Sequence, residues 1–337
     1  MVPPSEESAH NSLQHIIIVW TALLGVLIGA LAVSVMILNA TVFSASGFVR
    51  SYVAALERHD LAEALSTPGV LGTANASREL LTPAALGDIE DVSIVSDVDL
   101  GGGVHDVTYS ATVRTADLGA TTATGTFQVQ QEESRFGVFS SWSFLRSPMS
   151  VLRITPLNNA SFSVNGVALV APGGPSVGAA YQVLAPGFFT VSHESDYLTA
   201  DPVGTAVSSP GSVVPVTVDI RASEFFVSEI QKQVNSFLDA CTTQQVLFPT
   251  GCPFGQELSN RVESVPKWSM STYPDITIEP GNDLGTWVVP ETQAAAHLVV
   301  DVRSLFDGTL STFDEDVPFG LSWVMTIRGD TVDVRQQ

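Results

Sequence analysis

The stretch Ser46–Leu65, "SGFVRSYVAALERHDLAEAL", decides the architecture. Phe48, Val49, Tyr52, Val53, Leu56, Leu61 and Leu65 recur at helical spacing. After a loop with "TPGVLGTANAS" and a short helical stretch near "RELLTPAAL", the period changes to two. The segments "DVSIVSDVDL", "HDVTYSATVRT", "TGTFQVQQEE" and "FGVFSSWSFL" read as four strands separated by Gly-rich or charged turns. Helices followed by an antiparallel meander predict an α+β domain over residues 44–147, the sheet burying one face against the helices.

Upstream, residues 15–43 read "HIIIVWTALLGVLIGALAVSVMILNATVF", and no ionisable side chain lies between His15 and Arg50. Ile16 to Leu38 spans about 34 Å as a helix, enough to cross a bilayer core of about 30 Å. A cleaved signal peptide wants a basic n-region, a shorter apolar run and a small-residue cleavage site. Here residues 1–15 are a short tail carrying Glu6 and Glu7 and no Lys or Arg. The expectation is an uncleaved signal-anchor over residues 16–43, contacting the lipid bilayer. Counting positive charges gives Arg50 and Arg58 on the C-terminal side, which taken literally puts the body in the cytoplasm. Long domains translocate largely regardless of charge, and one N-terminal span before a long soluble region is the plan of an exported, tethered domain. The body is expected outside.

Downstream, residues 148–220 lose all helical period and are rich in Gly and Pro. "SVLRITP", "ASFSVNGVAL", "AYQVLAPGFFTVSHES" and "SVVPVTVDI" predict a small β-sandwich, with Asn165-Gly166 as a hairpin turn and Pro186-Gly187 as a second turn. Residues 221–337 repeat the first plan. "SEFFVSEIQKQVNSFLDAC" sets Phe226, Ile230, Val234, Phe237, Leu238 and Cys241 on one helical stripe. Strand-like "WSMSTYPDITIEPG", "GTWVVPE", "AAAHLVVDVRSLFDG", "GLSWVMTIRG" and "DTVDVR" follow. The fold class is α+β: an N-terminal transmembrane helix and two helix-plus-antiparallel-sheet domains flanking an all-β module.

"FVRSYVAALERHDLAEAL" resembles the opening helix of NTF2-like, cone-shaped α+β domains of membrane-anchored bacterial envelope proteins. "FSVNGVAL" with "LAPGFFTVSHESDYL" is similar to PEGA-like β-domains. The whole layout resembles exported proteins of Gram-positive, GC-rich bacteria, with TcaA-like proteins as looser relatives. That resemblance implies a tethered extracytoplasmic body and supplies no catalytic residues.

Composition excludes some partners. A net charge of −21, with only 14 basic residues, leaves no basic patch for nucleic acid and none for docking on anionic headgroups. Cys241 and Cys252 have too many residues between them for a redox C-x-x-C, and the histidines at 10, 15, 59, 105, 193 and 297 lack clustered zinc-ligand spacing. A loop of this size, from a helix end to a Pro/Gly turn, brings two Cα atoms to disulfide distance. A disulfide is expected, with reduced buried thiols as the alternative.

Other motifs read as structure. Gly174-Pro175-Ser176-Val177-Gly178 matches G-x-S-x-G, but lies in a Pro-rich β region without the strand-to-helix turn a nucleophile elbow needs. Asp97, Asp99 and Gly101 have calcium-loop spacing, yet Thr108 stands where a bidentate Glu is required. Asp314, Glu315 and Asp316 read as a solvated turn. His59 and Glu63, four apart, read as one exposed helix face beside Asp60. Trp142, Trp268, Trp287 and Trp323 read as core or cavity wall. The N-x-[ST] triplets at Asn39, Asn75 and Asn159 are expected by chance. No cofactor or metal is expected. The functional expectation is a non-enzymatic binding or scaffold protein of the cell envelope, contacting an envelope protein or cell-wall material. The alternative is a small-ligand binder or enzyme using an NTF2-like cavity.

Overall fold

The computed structural model describes residues 7–115, 118–135, 137–328 and 331–336. It opens with α1 (Glu7–Thr41), whose apolar residues from Ile16 onward face outward along nearly the whole helix. A three-residue elbow then turns the chain into α2 (Ala45–Glu57). Gly47 is needed there, because a Cβ at that position would clash with the carbonyl oxygens of Thr41 and Val42. Ser44 caps α2, its hydroxyl accepting from the Gly47 amide at 3.0 Å. His59, at φ 55°, ends that helix, and α3 (Leu61–Ser66) starts from an Asp60 cap.

These helices lie on a four-stranded antiparallel meander of β1 (Asp88–Gly101), β2 (Val104–Thr115), β3 (Gly119–Arg135) and β4 (Phe139–Phe144), paired in chain order. The α2 stripe is apolar, so it packs onto the sheet's inner face. Val49, Tyr52, Val53 and Leu56 are fully buried against Val107, Tyr109, Phe127 and Phe144. Tyr52 meets Phe144 edge-on at 5.0 Å, and Tyr109 stacks on Phe127 at 5.0 Å. Aromatic side chains therefore fill the space beneath the helix.

Two sheets face one another next. One joins β5 (Met149–Leu157) to β8 (Ala179–Leu184) and β11 (Val213–Asp219); the β5–β11 pairing is parallel. The other runs from β12 (Arg221–Ala222) through β10 (Leu198–Val207), β9 (Gly187–Glu194) and β6 (Ser161–Val164) to β7 (Val167–Val170). Asn165 and Gly166 form the β6–β7 turn at φ 46° and 80°. The Asn165 side chain also accepts from the Thr190 amide and donates to the carbonyls of Ala85 and Phe188, tying the β6–β7 turn to β9 and to the short helical turn Pro83–Ala85 that precedes β1. Pro186-Gly187 does not close a hairpin: β8 and β9 belong to different sheets, so this turn crosses the sandwich.

The last part carries α4 (Glu224–Thr242), whose Phe226, Ile230, Val234 and Leu238 are almost completely buried. It packs on a sheet in which β16 (Thr286–Arg303), β17 (Leu310–Arg328) and β18 (Thr331–Gln336) form a meander. Three short strands, β13 (Arg261–Val262), β14 (Lys267–Thr272) and β15 (Glu279–Pro280), pair successively along the free edge of β16. "GTWVVPE" and "AAAHLVV" are one strand, irregular between Val289 and Thr292 around Pro290, rather than two. The buried apolar side chains of the sandwich and of this last sheet form one continuous cluster from Leu80 to Met325. Cys241, at the end of α4, is disulfide-bonded to Cys252, with Cα atoms 5.8 Å apart.

Candidate membrane-proximal site

One helix in the described chain, Ile16–Thr41, is long and apolar enough to cross a membrane, and none of it is buried. Where that helix meets the body, the side chains form a continuous chain of contacts. Asn39 donates from Nδ2 to the Val138 carbonyl at 2.8 Å and accepts at Oδ1 from the Ser140 amide at 3.1 Å. Phe43 packs on Phe139 with ring centroids 4.7 Å apart. The Phe43 carbonyl accepts from Trp142 Nε1 at 2.8 Å. His105 stands edge-on to the Trp142 ring at 4.9 Å, and its Nδ1 lies 2.7 Å from Asp97 Oδ1.

Asp97 closes this chain. Its Oδ2 accepts from the Ser46 amide at 3.2 Å and from the Ser46 hydroxyl at 2.6 Å. The carboxylate thus satisfies a first-turn amide of α2 that has no partner inside the helix, with the favourable sign for a helix N-terminus. Burial alone would push the Asp97 carboxyl up; the bonds from Ser46 and His105 outweigh it and hold it below its ordinary value. Asp99 serves the hairpin, accepting from the Gly101 amide at 2.7 Å. The Asp97-Asp99-Gly101 spacing is therefore a cap plus a turn.

Beside this junction opens a cleft of about 930 Å3, lined by the elbow residues Val42 to Ser46, α2, the end of α3 and Ser140–Trp142. Arg50 and Glu63 are its charged side chains, and Glu63 is held by Arg58 at 2.7 Å. The hydroxyls of Thr41, Ser44, Ser66, Thr67 and Ser141 are each bonded to nearby carbonyls. The cleft is a polar notch at the end of the apolar helix.

The remaining candidates fall elsewhere. His59 and Glu63 do not share a helix face, because His59 lies in the α2–α3 turn; its Nε2 is 3.6 Å from Asp88. Ser176 sits in the β7–β8 loop at φ 63°, its amide bonded to the Pro156 carbonyl. His193 contacts Ser195 and the Ser161 carbonyl, and burial holds its pKa below the usual value. The acidic run Asp314–Asp316 is not a turn. It lies inside β17, where strand register brings two of its carboxylates to His297 on β16: Asp314 at 2.9 Å from Nε2 and Asp316 at 2.8 Å from Nδ1. That cluster was hidden in sequence by the residues between its two strands. The hydrogen bond with Asp316, helped by the charge of Asp314, raises the His297 pKa. Among the described residues no group of three His, Cys, Asp or Glu side chains is placed to hold a metal ion. Trp142, Trp268, Trp287 and Trp323 are all core side chains.

No family model and no curated protein matches the chain. Among solved structures it is similar to one described as "Ntf2 like protein involved in plasmid conjugation", at 11% identity, covering 74% of this chain and 78% of that chain, with a TM-score of 0.15. A likeness at that score carries no argument about this chain.

Proposed function

We propose that this chain is a single-pass protein of a bacterial cell envelope, in which α1 crosses the membrane and holds the acidic body on the extracytoplasmic side. Its work in this reading is non-enzymatic: binding or scaffolding another envelope protein or cell-wall material. Residues 44–147 and 221–337 are read as NTF2-like units flanking the β-module of residues 148–220.

The observation that carries the proposal is the surface of α1. Ile17, Ile18, Val19 and Trp20, four successive residues that go once round the helix, are all more than half exposed, as are Leu27, Leu31 and Met36 further along, on a helix that the body leaves uncovered. So large an apolar surface is stable only in hydrocarbon or against a partner, and its length matches the bilayer core. The Cys241–Cys252 pairing supports the outside location, since such bonds persist in oxidising compartments. The aromatic packing beneath α2 and the Phe226–Leu238 stripe beneath α4 support binding at surfaces over catalysis in a cone-shaped cavity. The alternative, a small-ligand binder or enzyme, would use the notch beside Arg50.

Alkaline carbonate extraction tests the anchor. The full chain is expected in the membrane pellet, and a Leu27→Arg, Leu31→Arg variant in the supernatant, because each Arg near the span's centre costs about 3 kcal/mol of insertion. Release of the unaltered chain by carbonate, or recovery of a soluble form trimmed near Ser44, would overturn the reading.

A further inference from the structure

The end of α1 is not joined to the body by a free linker. The β3–β4 hairpin runs back along it: Trp142 lies beside Phe43, and Val138, nearer the hairpin tip, lies beside Asn39. This direction leads from the body towards the apolar span. Asn39 stands two residues inside the C-terminal boundary of Ile16–Thr41. A helix of 26 residues is about 39 Å long, against a hydrocarbon core of about 30 Å. With the excess shared between both ends, the level of Asn39 falls in the headgroup layer. Val138, hydrogen-bonded to it, falls there too.

The surface at that level suits such a layer. Val138 is 48% exposed and Val42 60% exposed, and the half-buried rings of Phe43 and Phe139 lie between α1 and the hairpin. The backbone groups that a poorly hydrated layer would leave short of partners, the Val138 carbonyl and the Ser140 amide, are both satisfied by the Asn39 side chain. Charge is arranged the same way. In a protein of net charge −21, no Asp or Glu occurs between Glu7 and Glu57 or between Glu133 and Glu194, and these two acid-free stretches supply α1 beyond its first residue, the elbow and the hairpin's β4 side; on the β3 side Glu132, opposite Ser141, and Glu133 lie further from the turn than Arg135, which is opposite Phe139. Carboxylates would be repelled by anionic lipid.

We propose that Val138 and Phe139, where the β3–β4 hairpin enters β4, are seated in the lipid headgroup layer beside the end of α1, as a second membrane contact that fixes the body's tilt. The occupant of this apolar patch is the bilayer surface itself. The inference rests on α1 being a membrane span, so its test must separate the two.

Three variants of the full chain, each with one added free cysteine, Val138→Cys, Leu27→Cys and Phe306→Cys, are labelled with NBD and reconstituted in phosphatidylcholine vesicles. Cys241 and Cys252 stay protected in their disulfide. Phe306 is 99% exposed on the β16–β17 turn and reports bulk water. Leu27 reports the middle of the span. The expected result is that NBD at Val138 is shielded from an aqueous quencher and quenched by lipid carrying a nitroxide near its headgroup, whereas NBD at Phe306 shows neither effect. Full aqueous quenching at Val138 with protection at Leu27 would overturn the hairpin seat and leave the span standing. Shielding at Val138 without quenching by the nitroxide lipid would mean that protein, such as a second copy, covers the patch, and would also overturn it. Aqueous quenching at Leu27 would remove the span and the seat together.

Discussion

Removing the Asp97 carboxylate tests the junction most sharply. Asp97→Ala deletes the acceptor for the Ser46 amide at 3.2 Å, for the Ser46 hydroxyl at 2.6 Å and for His105 at 2.7 Å. Loss of a helix cap costs about 1 kcal/mol, and a hydrogen bond to a charged group is worth about 1.5–3 kcal/mol. Asp97 and His105 retain 28% and 23% side-chain exposure, so solvent screening reduces the second contribution. The expected loss is about 2–3 kcal/mol for Asp97→Ala. Asp97→Asn keeps an acceptor but loses the charge, and should cost about 1 kcal/mol. The assay is urea unfolding of the full chain in detergent, followed by tryptophan fluorescence, to which Trp142 beside His105 contributes. Because the folded pKa of Asp97 lies below the ordinary carboxylate value of 3.8, its contribution is present above pH 3.8 and fades as pH falls through the lowered value. A loss under about 0.5 kcal/mol for Asp97→Ala would refute the capping role. So would stabilisation of the unaltered chain by added calcium that Asp97→Ala abolishes, which would restore the cation-loop reading of this motif.

Two further outcomes follow from the same geometry. Cys241→Ser with Cys252→Ser opens a loop with a sequence separation of 11; chain entropy puts the loss at about 3 kcal/mol, measured as a shift in urea midpoint, and reductant should reproduce it in the unaltered chain. An equal midpoint with and without reductant would contradict this. His297, held between Asp314 and Asp316, has its folded pKa raised above 6.5, so its contribution is complete below pH 6.5 and is lost as pH rises through the raised value. His193 works in the opposite sense, its pKa being lowered by burial. The difference in urea midpoint between the unaltered chain and His297→Gln should therefore shrink on going from pH 6 to above the raised value. A difference that stays constant across that range would refute the ion-pair account.

The regular elements were readable wherever one face is buried. The α2 and α4 stripes and the alternation of β1 to β4 follow directly from burial against a single sheet, and Asn165-Gly166 from the need for positive φ at both turn positions. What escaped the sequence depends on register or on how elements meet. β10 was missed because Asp201-Pro202 interrupts its alternation, at the point where its pairing with β9 shifts between Ala200 and Val203. Asp314–Asp316 looked like a turn because three adjacent acids are poor strand formers; they are tolerated because all three are exposed and His297 sits across the ladder from Asp316. The junction was least legible. Asn39, Trp142, His105 and Asp97 come from four separate segments, and only the docking of α1 on β4 brings them together. The Asp97-Asp99 spacing was visible, but a cap for a helix some fifty residues earlier leaves no local signature.

The central claim is an outward-facing body held by one membrane helix, and thiol labelling of intact cells expressing the full chain addresses it most directly. A membrane-impermeant maleimide should leave the protein unlabelled until an impermeant reductant opens Cys241–Cys252, after which intact cells should label as fully as lysed ones. Labelling that requires lysis and needs no reductant would place the body and its reduced thiols in the cytoplasm, and would contradict the account.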